Sequence, residues 1–296
     1  MKITKPITYY EPLTLPHLKR SLLQFSLFNF FLVAAVGLFM RAFPLLHSIP
    51  LNYTFLVHGH SHFAFGGWVM PVLVWMIMQY FPSLSQKISI KHWRNIIFLL
   101  LISAYGMLAS FPFQGYGLVS IIFSTISVGA GFYLAIVLWK ATNAEKQKTS
   151  VQFLRAGLFY LSISAIGPFA TGPLIAMGKQ GSHIYFDAIY FYLHFQYNGW
   201  FTFAVLAVLY SMMEKQTALK NRNKVFTLFN LSCVPAYFLS TLWHHPNIIF
   251  YFIGGMAAVL QVVGVFYLLK DFKYWKIDKP FVNNLVVLAR SAFALK

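Results

Sequence analysis

Eight stretches of the chain are apolar without a break for about the length of a bilayer crossing: residues 21–43, 53–81, 95–113, 116–139, 153–177, 184–212, 225–243 and 248–270. A crossing helix needs about 20 apolar residues. The apolar positions run on continuously instead of alternating, which predicts helices and not the strands of a barrel. The expected fold is all-α: a polytopic transmembrane helical bundle of eight complete spans within residues 21–280, preceded by a tail at residues 1–20. Residues 281–296 begin as another apolar helix, with Arg290 inside it, and stop too soon to cross. They read as a partial ninth span or an interfacial helix. No clear internal repeat is visible. Gly167, Pro168, Gly172 and Pro173 are expected to break or kink the fifth helix.

Composition narrows the class. Of the 296 residues, 58% are hydrophobic and 10% are charged, against about 25% charged in a soluble domain. That excludes a soluble globular protein, a disordered chain and a disulfide scaffold. Cys233 is the sole cysteine, so no internal disulfide is possible, and its apolar surroundings point to packing.

The net charge of +17 is not gathered in one patch, as a nucleic-acid partner would require. Lys and Arg recur in the tail and in the stretches Lys87–Arg94, Lys140–Arg155, Lys215–Lys224 and Lys270–Lys279. With eight alternating spans, these regions share one side and hold 19 basic residues against 2, Arg41 and Lys179, on the other. By the positive-inside rule the N-terminus is cytoplasmic and uncleaved. The expected setting is a bacterial inner (plasma) membrane, with the lipid bilayer as the main partner.

That orientation sorts the histidines. His17 and His92 fall on the cytoplasmic side, whereas His47, His58, His60, His62, His183, His194, His244 and His245 all fall in the outer half or at its edge. On the second helix, His58 and His62 share a face and His60 points nearly opposite. Such a density of imidazole within five residues points to ligands, since each buried ring needs a partner. On the sixth helix, His183, Asp187, Tyr190, His194, Tyr197 and Asn198 form one polar stripe that must face the bundle interior. Asp187 is read as the only acidic residue in any span. His244 and His245 end the seventh helix as neighbours that diverge by about 100°.

Histidine on the second helix, deep on the sixth, and paired at the outer end of the seventh resembles the catalytic subunit of haem–copper oxidases and nitric oxide reductases, with this chain as a truncated or degenerate member. The stretch from His60 to Trp68 is similar in flavour to the histidine-plus-Gly-Trp helices of that superfamily. The resemblance implies that one of His58, His60 or His62 binds a low-spin haem. It also implies that His194, His244 and His245 bind a second metal, copper or iron. It further implies electron transport to O2 or NO, with an electron-donor protein or other oxidase subunits as partners. The family's His-Pro-Glu on the sixth helix is absent here. Two other readings stand beside it: a non-catalytic haem- or copper-binding membrane protein similar to the NnrS type, and a transporter of a metal or small solute. The last of these predicts pseudo-symmetric halves.

Overall fold

A computed structural model describes residues 14–45, 50–215 and 219–273. His47, most of the expected tail and the expected partial ninth span at 281–296 lie outside the described residues. Every regular element among the described residues is helical. Eight long helices succeed one another: α1 (Leu15–Leu45), α2 (Tyr53–Tyr80), α3 (Ile90–Gln114), α4 (Leu118–Ala141), α5 (Thr149–Ala176), α6 (residues 183–213), α7 (Arg222–His244) and α8 (Ile248–Phe272). Seven of them, all but α6, are long and apolar enough to cross a membrane. Tyr190, Tyr192, His194, Gln196, Tyr197 and Asn198 make α6 more polar than the rest.

The chain is therefore a multi-pass integral membrane protein. On α8, Phe252, Met256, Val259, Val262 and Phe266 present a stripe 54–70% exposed. In water such a stripe would be an aggregation hazard, whereas hydrocarbon is its natural solvent. Side-chain caps open three of the helices. The Asn52 amide oxygen accepts from the backbone of Thr54 and Phe55, Ser89 accepts from His92, and Asn247 accepts from Ile249.

The helices divide into two compact units. Unit 1 holds the residues up to Glu145 together with Gly157–Ala165, and unit 2 holds Lys146–Ala156 together with the residues from Ile166 onward. Helix α5 contributes to both and breaks at Ala165, between Thr149–Ser164 and Ile166–Ala176. Of the breakers expected from sequence, Pro168 has no N–H to offer the preceding turn, whereas Pro173 lies inside the continuous helix Ile166–Ala176. Helix α7 changes character at Pro235, from α-helix to a 3-10 helix over Pro235–His244.

The two units are built alike, which corrects the expectation of no repeat. In unit 1, α2 packs on α1 and α3, and α3 packs on α4; in unit 2, α6 packs on α5 and α7, and α7 packs on α8. The stretch His62-Phe63-Ala64-Phe65-Gly66-Gly67-Trp68 returns as His194-Phe195-Gln196-Tyr197-Asn198-Gly199-Trp200, a shift of 132 positions (62 to 194). Ala104-Tyr105 returns as Ala236-Tyr237 at the same shift, and Ala35-Val36-Gly37-Leu38-Phe39 of α1 returns as Ala165-Ile166-Gly167-Pro168-Phe169 of α5.

Contacts repeat with the residues. Phe63 meets Tyr105 at 5.4 Å between ring centroids, and Phe195 meets Tyr237 at 6.4 Å. His58 meets Phe111 at 6.2 Å, and Tyr190 meets Trp243 at 6.1 Å. Gly37 lies against His60, and Gly167 against Tyr192. The helix also widens at the same place in each unit, to π-helix over Ala64–Val69 and Phe195–Phe201. Gly66-Gly67 and Asn198-Gly199 are weak α-formers within these segments, and neighbouring groups hold the widened turns. Asn29 of α1 donates to the Gly67 carbonyl at 2.5 Å and accepts from the Tyr105 hydroxyl at 2.5 Å. In unit 2, Thr202 donates to the Tyr197 carbonyl at 2.8 Å.

Candidate haem and metal site

In unit 1 the three histidines of α2 face two ways, as their spacing predicts. His58 and His62 lie toward α3 and the loop after it. The His62 ring stacks on Phe111 at 4.6 Å, and its Nε2 is 3.3 Å from the Tyr116 hydroxyl. His58 meets the Tyr116 ring edge-on at 4.9 Å. His60 points instead to α1, where Gly37 leaves room for it. Its Nδ1 is buried and has no hydrogen-bond partner. An orphaned buried polar atom costs about 1–3 kcal/mol, and no side chain among the described residues offsets that cost at His60.

In unit 2 the polar stripe of α6 divides at His194. Above it, toward the start of α6, His183, Asp187 and Tyr190 gather around the end of α7. The His183 ring is 4.8 Å from that of His244 and 5.4 Å from that of Trp243. Asp187 Oδ2 is 3.2 Å from His244 Nε2. The Tyr237 hydroxyl donates to the Asp187 backbone carbonyl at 2.9 Å, which ties α7 to α6 at this level. Below it, Tyr197 is 48% exposed, and Asn198 turns back to His194.

His194 itself is buried and has both ring nitrogens engaged. Nε2–H donates to the Cys233 carbonyl at 2.8 Å, and the Asn198 amide donates to Nδ1 at 3.1 Å. These two bonds set the tautomer. His244 and His245 separate, but not as two helical neighbours: the helix ends at His244 and His245 lies just beyond it. His244 turns inward to Asp187, while His245 closes α7 in the left-handed conformation (φ 54°) and is exposed. The structure thus brings His244 to His183 and Asp187, and it bonds His194 to α7 through Cys233. Among the described residues, no three His, Cys, Asp or Glu side chains are already arranged as a complete metal-ion group.

One buried acid escaped the reading of the sequence. Asp271 is fully buried on α8, so Asp187 is not the only acidic residue inside a spanning helix. Its carboxylate accepts from the Asn221 backbone at 3.1 Å, the Asn221 amide at 3.0 Å and the Tyr210 hydroxyl at 3.4 Å. These contacts tie α6, the start of α7 and the end of α8 together. Phe272, just beyond Asp271, is the signal in the sequence that the helix continues past residue 270.

No family model, curated protein or solved structure matches the chain.

Proposed function

We propose that the chain is a haem- or metal-binding protein of haem–copper oxidase type, set in a bacterial inner membrane with a cytoplasmic N-terminus. Its outer-half histidines would serve electron transfer or the reduction of O2 or NO. The observation that carries this reading is the orphaned Nδ1 of His60, beside His58 and His62 on a spanning helix. An uncompensated imidazole in an apolar bundle is a functional group awaiting its partner. Haem, when bound, supplies the redox iron; His58, His60 and His62 are its candidate ligands. By the resemblance His194, His244 and His245 are the candidate ligands of the second metal. His244 is the one turned inward, to Asp187, whereas His194 is engaged about two turns further along α6, at the Cys233 carbonyl. The basic loops, 19 residues against 2, support the orientation.

The visible spectrum of the purified protein tests the reading. A Soret band that weakens in His60→Ala is the expected result. No Soret band and no bound copper or iron would refute it. A second reading, transport of a small solute or metal, is favoured by one observation: the two units share one four-helix design, as transporter halves often do. Uptake by sealed vesicles containing the protein, without any absorbing cofactor, would favour that reading instead.

A further inference from the structure

We infer that His183, Asp187 and His244 form a divalent-metal site of zinc type, at the end of unit 2 opposite the Lys215–Lys224 stretch. His183 and Asp187 are one turn apart on the first turns of α6 and share a face. His244 reaches them from the end of α7. The 3.2 Å between His244 Nε2 and Asp187 Oδ2 is the separation of two ligands on one tetrahedral zinc, about 3.3 Å for bonds of about 2.0–2.1 Å. Two imidazoles and a carboxylate are a donor set that zinc accepts.

Two further observations point to a ligand. Asp187 Oδ1 is buried and lacks a hydrogen-bond partner, and the polar contact of His244 Nε2 is the other oxygen of the same carboxylate, in a pair whose side chains are 23% (Asp187) and 16% (His244) exposed. In addition, the shared design of the units needs none of the three residues. At the matching places unit 1 carries the apolar residues Leu51, Phe55 and Pro112. As they stand, Asp187 and His244 form a pair and His183 lies beside it. His183 is exposed at the helix start with its ring tilted against those of His244 and Trp243, and a change of its rotamer would complete the set. The Tyr237 hydroxyl on the Asp187 carbonyl holds the two helices in register beneath it.

This ligand set shares only His244 with the three-histidine set and does not depend on haem. The test is Zn2+ titration of the full-length protein in lipid nanodiscs, followed by calorimetry, with Co2+ absorption as a second readout. One equivalent of Zn2+ is expected. Asp187→Asn, His244→Gln and His183→Gln should each weaken it about tenfold or more, and Asp187→Glu should recover most of what Asn loses. His183 is exposed, so its variant reports binding and not folding. No zinc binding by the wild type, or unchanged affinity in Asp187→Asn, would overturn the site. So would loss confined to His194→Gln and His245→Gln. A Soret band measured on the same samples reports the haem reading separately, whichever way zinc behaves.

Discussion

His62 and His194 occupy the same place in two four-helix units, yet their surroundings treat them differently. His194 is bonded at both nitrogens, to the Cys233 carbonyl and the Asn198 amide. The residues matching those partners in unit 1 are Leu101 and Gly66. Glycine has no side chain with which to donate, so His62 reaches a loop hydroxyl, that of Tyr116, and stacks on Phe111. One fold position thus carries an imidazole locked between helices in one unit and an imidazole facing a helix end in the other.

His194→Ala should be the more costly of the two substitutions. It removes a bond between α6 and α7 and leaves the Cys233 carbonyl without its donor, for a loss of about 1–3 kcal/mol. His62→Ala should cost less. Thermal unfolding of the detergent-solubilised variants gives the order, and equal melting temperatures would show that the interhelical bond contributes nothing.

The glycines of α5 make a sharper contrast. A Cβ on Gly167 would run into the Ala188 carbonyl oxygen and the Tyr192 backbone, whereas one on Gly172 meets nothing within 4 Å. Gly167→Ala should force α5 and α6 apart and lower the yield of folded protein, and Gly172→Ala should be silent. At the matching contact in unit 1, Gly37→Ala meets only His60 Cε1, at 3.4 Å, and should be mild. Monodispersity on size-exclusion chromatography is the measurement.

Asp271→Ala should also destabilise the protein, by about 1–3 kcal/mol, because the Asn221 N–H and the Tyr210 hydroxyl lose their acceptor. Asp271→Asn keeps one carbonyl oxygen and should recover part of the loss. Thermal melts of the two variants, compared with Asn221→Ala, test whether the three groups act as one network.

Orientation can be read with a thiol probe that does not cross membranes. Cys233 is 1% exposed and should not react in intact cells. Lys179→Cys should be labelled from outside the cell and Lys146→Cys only after the membrane is opened. The reverse pattern would invert the topology inferred from the basic loops.

Much of this architecture was legible because lipid selects for continuous apolar runs, and each of the eight runs coincides within a few residues with a helix. The break in α5 followed from Pro168; the parting of His244 and His245 did not follow from helical spacing, because His245 lies beyond the helix in the left-handed conformation. Three features were harder to see. The repeat rests on a few residues that the packing requires, such as Gly167 at a close crossing and Tyr237 on Phe195, while lipid-facing positions differ freely. Asp271 looked like a loop acid because its partners, Asn221 and Tyr210, come from far along the chain. The orphaned state of His60 Nδ1 depends on what α1 does not offer, and no spacing along α2 reveals it.

The π-helical segments bear on how these helices tolerate change in length. An i→i+5 turn carries one residue more than an α turn, so side chains beyond it are advanced by roughly 100° in phase. A single-residue deletion within an ordinary span would rotate everything after it out of its contacts. At Gly66-Gly67 or Asn198-Gly199 the same deletion can be absorbed by reversion to α-helix, at the cost of the Asn29 bond in one unit and the Thr202 bond in the other. Because the extra residue comes within the turn or two after His62 in one unit and His194 in the other, it belongs to the scaffold that they share and is not an adaptation of either site.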